Sequence, residues 1–424
     1  MKAVVLAAGE GTRLKPITLT RPKHLIRVGG KLLLEHCLNA LKAVGIEETL
    51  IVIHYMGDAI RTYFGDGKNF GLRISYVEQK EVLGTGNAVS IAEPYVKEDF
   101  VLVYGDLLFS VDALKKVVAI HEREKPAATM AVVPVEKPEN YGIVELENSR
   151  VKNIIEKPSR DKAPTNLANA GIYVFSTEIF EKIKKTKASV RGEWEITDAI
   201  SLLLKEKTVL GVEISKDEWL DIGRPWDLLE ANRWILQRTE HKVLGTVENG
   251  AHLIGPVSVA ETSRIRSGAY IEGPAFIDEE SDIGPNCYIR PCTSIGKKVR
   301  IGNACEIKNS IIMDNTHIGH LSYVGDSIIG ENCNLGAGTI TANYRLDAKT
   351  IKMKIKDKVV DSERTKLGAV LGDNVKAGIN TLFMPGVKVG CNSWIGPNVV
   401  VYRDLPSNTI TLLKQSLEQR ELKP

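Results

Sequence analysis

Closely spaced cysteines are missing from this 424-residue chain: it has six, and the nearest two, Cys287 and Cys292, are not the kind of pair that binds zinc or runs thioredoxin-like exchange. A disulfide framework is not expected either. Charge of one sign is also lacking, since 56 basic residues face 53 acidic ones for a net +3, so neither nucleic acid nor an anionic membrane meets a bulk electrostatic footprint. An anionic ligand must be held locally. No long apolar run opens the chain, because MKAVVLAAGEGTR turns to glycine and charge too soon for a secretory leader or a membrane span. A cytoplasmic protein is expected. The glycine-rich turn in that stretch is followed by no GKS or GKT triplet and no third glycine, which excludes a Walker loop and a dinucleotide fingerprint.

What is present is length, apolar content and a repeat. The chain exceeds the usual size of one hydrophobic core, and 43% apolar content is enough to fill two. From Val247 an aliphatic residue returns at every sixth position: Leu253, Val259, Ile265, Ile271, Ile277, Ile283, Ile289, Ile295, Ile301, Ile307 and Met313. Periods of 3.6 or 2 cannot produce such sparse anchors, whereas a parallel β-helix with three short sides and one inward anchor per side does. A left-handed β-helix of hexapeptide repeats is therefore predicted. After Met313 the phase slips, with Val324, Ile329 and Leu335 recurring irregularly, and the six-residue beat resumes at Leu371, Ala377, Phe383, Val389, Ile395 and Val401. An interruption is expected between about Thr341 and Gly368. Cys287, Cys305 and Cys333 each follow a coil anchor by four places, where a small buried residue packs a tight turn.

The first half alternates β-rich runs (KAVVLAA, ETLIVIHY, LRISYVE, FVLVYGD, ATMAVVPV, NAGIYVF, VLGVEI) with helical stretches. That pattern predicts an α/β domain over residues 1–227, a Rossmann-like and mostly parallel mixed sheet with helices on both faces. Apolar spacing at Leu228, Leu229, Ala231, Trp234, Ile235 and Val243 predicts a linking helix over 228–245, leaving the β-helix at 246–405 and a tail at 406–424. Ligands of such sheets sit beyond the carboxyl ends of the strands. After the first strand, Gly9 and Gly11 let backbone amides approach an anion, and Arg13 and Lys23 can meet phosphate oxygens. Asp106 closes VLVYGD and Asp221 closes WLD, and two carboxylates can share one magnesium ion that also takes phosphate oxygens.

LAAGEGTRLKPIT followed by RPK resembles the signature of the sugar-1-phosphate nucleotidylyltransferases, and the likeness spans nearly all of the first half. The resemblance implies in-line attack of a sugar phosphate oxygen on a nucleotide α-phosphorus with release of pyrophosphate. In that scheme Ala8, Gly9, Gly11, Thr12 and Arg13 hold the triphosphate, Lys23 assists the attack, and Asp106 and Asp221 bind Mg2+. It also implies that Gln79 and the Gly84, Thr85, Gly86 turn meet the pyrimidine of UTP or dTTP, and that Gly142, Glu156, Lys157 and Asn169 face the sugar phosphate.

Around the phase slip, polar side chains crowd a region otherwise built of aliphatics: His317, His320, Tyr323, Asn334, Asn343, Tyr344, Lys349 and Lys352. A neutral imidazole can take a proton from an amine nucleophile, and amides can hold a thioester oxygen. HLSYVGD, then NLGAGTITANY, then Lys349 resembles the acetyltransferase half of the bifunctional N-acetylglucosamine-1-phosphate uridylyltransferases, in an archaeal form. That likeness implies His320 as general base, Arg290 and Lys308 on the acceptor phosphate, Tyr323 and Asn334 on the acceptor sugar, and Asn343, Tyr344, Lys349 and Lys352 at the acetyl-CoA or acetyl-transfer site. It implies a homotrimer, or a dimer of trimers, with acetyl-CoA between neighbouring coils. Two departures from the bacterial pattern are the RPK triplet and the lengthened KMKIKDKVVDSERTK segment; Ile379 stands where a small hydroxyl residue is usual near the coenzyme. The function expected is acetylation of glucosamine or galactosamine 1-phosphate and coupling of the product to UTP or dTTP. The alternative is a nucleotidylyltransferase whose β-helix serves only assembly or regulation.

Overall fold

Aliphatic runs bounded by Gly, Asp and Pro become the strands of one nine-stranded mixed sheet in the computed structural model, which describes residues 1–189 and 192–422. The spatial order is Arg73–Glu78, Glu48–Ile53, Lys2–Ala7, Phe100–Tyr104, Leu167–Phe175, Ala128–Pro134, Val209–Glu213, Arg150–Glu156, Gly142–Glu147. The first four are mutually parallel. Leu167–Phe175 then runs antiparallel to both of its neighbours, and beyond it only Ala128–Pro134 and Val209–Glu213 pair in parallel, so the sheet is mixed and less parallel than the alternation suggested. All seven predicted runs are strands, and the motif YGIVE adds another at the far edge.

Alternation along the first strand assigns the two cores. Ala3, Val5 and Ala7 pack with Leu34, Leu38 and Leu41 of the helix Leu33–Ala43, while Val4 and Leu6 pack with Val89, Ile179 and Ile200 on the other face. Each fully buried aliphatic of this kind contributes about 1.5–3 kcal/mol. This first compact unit comprises Met1–Gly11, Arg21–Ile26 and Lys31–Ile222.

The second unit contains Thr12–Thr20, Arg27–Gly30 and the chain from Gly223 onward. Its helix is Pro225–Leu236, with proline in the first turn and the Asp227 carboxylate accepting from the amides of Gly223 (3.0 Å) and Arg224 (2.7 Å). It thus starts before and stops well short of the span 228–245, and Val243 instead bridges to Val259 in the solenoid.

Beyond it lie three stacked parallel sheets of nine, eight and seven short strands, the left-handed β-helix. Ile265, Ile271, Ile277, Ile283, Ile289, Ile295, Ile301 and Ile307 are fully buried along its axis. Pairs such as Ile265 with Ile283 register one full coil apart. The phase slip has a simple cause: Ile295 pairs with Ile312, and Ile312 with Ile329, so one side of each of these coils is a residue short. The anchor is Ile312 and not Met313. Asn286, Asn315, Asn332, Asn374 and Asn392 occupy the left-handed region at coil corners, where asparagine is tolerated. Residues 342–368 leave the solenoid, form the hairpin Lys352–Ile355 with Lys358–Asp361, and return so that Ile329 pairs with Leu371 and Thr341 with Phe383. The last strand, Ile410–Thr411, still pairs with Trp394–Ile395, and residues 412–422 carry no helix.

No cysteine is in a disulfide, and Cys287, Cys305 and Cys333 are buried in the turns as their spacing predicted. Among the described residues, no helix is long and apolar enough to cross a membrane.

Candidate active sites

The strand Lys2–Ala7 delivers the glycine-rich turn. Ala8 is buried, Gly11 takes a φ of +65°, and a Cβ at Gly9 would meet nothing within 4 Å, so the loop backbone is open to a ligand. Arg13 follows in a short 3₁₀ turn, Thr12–Leu14, with its side chain exposed. Lys23 is buried; its ammonium is ion-paired with the Asp106 carboxylate and donates to the Ile222 carbonyl at 3.0 Å. Burial pushes the Asp106 carboxyl up, but the Lys23 and His24 charges together with its hydrogen bonds outweigh burial and hold the group below its ordinary value. The short ladder of Leu107–Phe109 with Trp219–Asp221 registers Asp221 opposite Leu107, one residue from Asp106. Among the described residues no cluster of three His, Cys, Asp or Glu side chains is placed to hold a metal.

A half-open pocket of about 690 Å³, the solvent at its mouth included, gathers Thr85, Gly142, Glu156, Lys157, Asn169 and Asp221, six of the residues the sequence singles out. Tyr104, Tyr141, Glu193, Glu195, Thr197 and Trp219 complete its wall without having been picked. Glu156 accepts from the Thr197 hydroxyl (3.1 Å) and lies 3.7 Å from the Lys157 ammonium. Asn169 donates to the Tyr173 hydroxyl (2.6 Å), which lies 3.3 Å from that of Tyr104, and burial pushes both phenols up, so they remain neutral. Trp219 is fixed by its indole N–H on the Ala170 carbonyl (2.8 Å) and packs edge-on against Tyr141. Single aromatic and hydroxyl residues from separate strands carry no motif, which is why the sequence did not mark them.

Gln79, Gly84 and Gly86 do not line that pocket. Gln79 is buried and donates to Asn87 (2.7 Å). Gly84 has a φ of +110°, and a Cβ there would lie 2.6 Å from the Trp194 carbonyl oxygen, to which the Gly86 amide donates (2.7 Å). Backbone packing alone therefore requires glycine at Gly84.

On the solenoid, parallel pairing stacks Arg300 under His317 and His317 under Asn334, with Asn303 under His320. His317, His320, Asn334, Arg300 and Asn303 line one open cavity. The adjoining sheet carries a second cluster. The Asp326 carboxylate accepts from Lys308 (3.2 Å), Asn309 (2.6 Å) and Asn343 (2.5 Å), Asn343 also donates to the Tyr323 hydroxyl (3.0 Å), and Arg290 pairs with Glu306 at 2.9 Å. Asp326 and Glu306 were not picked, although Asp326 sits inside the quoted HLSYVGD. Tyr344, Lys349 and Lys352 are exposed on the 342–368 insertion and do not line the His320 cavity.

Residues 2–238 match the family described as Nucleotidyl transferase, and residues 271–382 match the GMPPB C-terminal domain. Over the full length of both chains, this one is 45% identical to the bifunctional protein GlmU of Methanocaldococcus jannaschii. The chain belongs to the archaeal bifunctional GlmU family. The bifunctional sugar-1-phosphate nucleotidylyltransferase/acetyltransferase of Sulfurisphaera tokodaii is 41% identical over 96% of this chain and 98% of its own. A glucose-1-phosphate thymidylyltransferase structure from Bacillus anthracis matches 55% of this chain and 94% of its own at a TM-score of 0.51 and 33% identity. A UDP-glucose pyrophosphorylase complexed with UDP-glucose matches 56% of this chain and all of its own at a TM-score of 0.51 and 28% identity. Members of the GlmU family are transferases, and sugar phosphates and nucleotides fit it as substrates.

Proposed function

We propose that this GlmU-family chain carries two separate reactions, acetyl transfer from acetyl-CoA to an amino-sugar 1-phosphate and nucleotidyl transfer from UTP or dTTP to the acetylated product or to glucose 1-phosphate. The observation that carries this reading is that each half holds its own polar pocket, one containing Glu156, Asn169 and Asp221, the other His320 and Asn334.

In the first site an oxygen of the sugar phosphate attacks the α-phosphorus in line and pyrophosphate leaves, so catalysis is positioning plus charge neutralisation. Gly9 and Gly11 offer backbone amides, and Arg13 and Lys23 offset charge as it develops on the phosphates. Glu156 and Asn169 hold the sugar. Asp221, which registers opposite Leu107 in the short ladder, and Asp106, the residue before Leu107, would hold a magnesium ion bound with the nucleotide. Such an ion supplies charge neutralisation at the phosphates.

In the second site His320 removes a proton from the attacking amine as its nitrogen bonds to the acetyl carbonyl carbon; the C–S bond breaks and the thiolate is released as the thiol of coenzyme A. Asn343 and Tyr323 orient acceptor and thioester, while Arg290 and Lys308 meet the acceptor phosphate. Since Tyr344, Lys349 and Lys352 do not reach the His320 cavity within one chain, we place them in the cavity of a neighbouring subunit, in a homotrimer or a dimer of trimers. Light scattering that finds a monomer would remove that assignment.

The test is coenzyme A release from acetyl-CoA with glucosamine 1-phosphate and with galactosamine 1-phosphate, wild type against His320→Ala, beside pyrophosphate release from UTP and dTTP. Loss of the first activity alone in the variant is the expected result. The alternative is a nucleotidylyltransferase whose β-helix serves only assembly or regulation. Absence of coenzyme A release with either amino sugar would make that reading the working one.

A further inference from the structure

The His320 cavity carries a cation that no assigned role uses. Arg300 and His317 stand in successive coils of one solenoid sheet, Arg300 registering with His317 and Asn303 with His320, and all four line the cavity. Among the described residues no Asp or Glu lines it, so an anion entering meets no opposing charge at the wall. The charge beside it is out of balance as well. Asp282 is held by both ends of Arg266 (2.5 and 2.6 Å) and also pairs with Arg300 (3.1 Å), while Arg264 pairs with Glu248. Three guanidiniums therefore face two carboxylates, and one positive charge is left over in this group. Arg300 is fixed through a single nitrogen: its Nη1 makes the Asp282 carboxylate contact and donates to the Asp282 main-chain carbonyl at 2.9 Å. Its Nε and Nη2 engage no hydrogen-bond acceptor among the described residues. The cations picked for the acceptor phosphate are placed differently, since Arg290 is paired with Glu306 and Lys308 with Asp326, and neither lines this cavity.

We propose that Arg300, with His317 in the next coil, is a phosphate-binding subsite of the His320 cavity, additional to Arg290 and Lys308. Its ligand is a phosphate group of an acetyl-transfer substrate, either the amino-sugar 1-phosphate or coenzyme A, which share that chemistry. The inference rests on the reading of His320 as the acetyl-transfer site. The edge formed by Nε and Nη2 presents two parallel donors, the geometry that meets two oxygens of one phosphate. Neighbouring strands lie about 4.8 Å apart, so the His317 imidazole one coil on can reach an oxygen of the same group. Asp282 holds the guanidinium in place without covering that edge.

The experiment uses the full chain and compares wild type with Arg300→Ala, Arg300→Lys, His317→Ala and Arg266→Ala, with thermal melting as a check on folding. Arg266 is the control, because it grips the same carboxylate but does not line the cavity. Thiol release is measured with two pairs of substrates that differ by phosphate: glucosamine 1-phosphate against glucosamine, and acetyl-CoA against acetyl-pantetheine. Arg300→Ala should lower kcat/KM about tenfold or more for the phosphate-bearing member of one pair, through KM, and leave its phosphate-free member within about twofold. The pair that responds names the phosphate. Arg300→Lys keeps the charge but not the fork and should recover part of the loss. His317→Ala should raise the same KM, and Arg266→Ala should leave it at the wild-type value. Should Arg300→Ala fail to fold, Arg300→Lys decides by the same comparison. Equal losses on both members of a pair, or no loss on either pair, overturn the subsite. An Arg266→Ala effect equal to that of Arg300→Ala overturns it too, since the shared carboxylate would then be the cause. If the wild type releases no thiol with either acceptor, the acetyl-transfer reading fails by itself. Calorimetry of coenzyme A and of glucosamine 1-phosphate, wild type against Arg300→Ala, then decides the subsite: weaker binding of one supports it, and unchanged affinity for both overturns it.

Discussion

Asn343 joins Tyr323 to Asp326, its one amide donating to the phenol at 3.0 Å and to the carboxylate at 2.5 Å. The Asp326 carboxylate is buried and also receives Lys308 and Asn309, so it holds Lys308, a candidate for the acceptor phosphate, and Asn343, a candidate at the acetyl-transfer site, in one fixed fan. Replacing it by alanine strands a largely buried ammonium and two amides. Asp326→Ala should destabilise the protein by about 3 kcal/mol, as other losses from buried charged networks do, and raise KM for the amino-sugar phosphate. Asp326→Asn, which keeps an acceptor oxygen, should lose less of both. Denaturant midpoints and coenzyme A release at varied acceptor concentration check this; a KM unchanged in Asp326→Ala would separate the fan from acceptor binding.

In the pocket proposed for the sugar phosphate, the decisive space is the side chain that Gly142 lacks. A Cβ there would lie 3.0 Å from a Glu156 carboxylate oxygen and 3.2 Å from the Thr197 methyl, tighter than normal contact on both sides. Gly142→Ala should push Glu156 off the sugar and raise KM for the sugar phosphate about tenfold, with KM for the nucleotide unchanged. Equal effects on both substrates would mean that the pocket does not bind the sugar.

The two halves differ in how much of them could be read beforehand, and the reason is periodicity. Solenoid anchors such as Ile265 to Ile307 face inward because only one position in six reaches the axis, so a linear pattern reports the fold directly. One missing residue before Ile312 shifted the pattern, and Met313, also buried, hid the shift. The direction of Leu167–Phe175 leaves no trace in its own composition, because antiparallel and parallel central strands are equally apolar when covered on both faces. Site residues followed the same division. Glu156 and Asn169 sit in short motifs and were legible, whereas Tyr104, Thr197 and Trp219 reach the same pocket from unrelated strands and helices. Asp326 was hidden because a buried aspartate in a turn reads as a turn residue until its donors are seen.

Arg13 lies against Gly223. A Cβ at Gly223 would stand 3.0 to 3.2 Å from three guanidinium atoms, and the adjacent amides of Gly223 and Arg224 are already committed to capping with Asp227. The loop cannot yield, but the end of a flexible arginine can. Gly223→Ala should therefore leave melting within about 2 °C of wild type while lowering kcat for nucleotidyl transfer several-fold by displacing Arg13. Pyrophosphate release and calorimetry on the same sample check it. A normal kcat would show that Arg13 works from a different rotamer.

His24 gives the acid limb of stability a specific cause. The ring is buried beside Lys23 and Asp106, its Nδ1 finds no hydrogen-bond partner, and burial lowers its pKa from the usual 6.5 to about 4, with Lys23 adding to the fall and Asp106 opposing it. The unfolded chain takes up the proton as pH falls through 6.5, while the folded chain declines it until about 4. Stability from this residue is thus full above pH 6.5 and is lost progressively down to about 4, below which the difference is constant. At about 1.4 kcal/mol per pH unit the loss is about 3 kcal/mol. His24→Leu keeps an apolar group of similar bulk and removes the titration. Unfolding free energies measured from pH 7.5 to 3.5 should show the wild type losing ground to the variant through that window; parallel curves would place the acid sensitivity elsewhere.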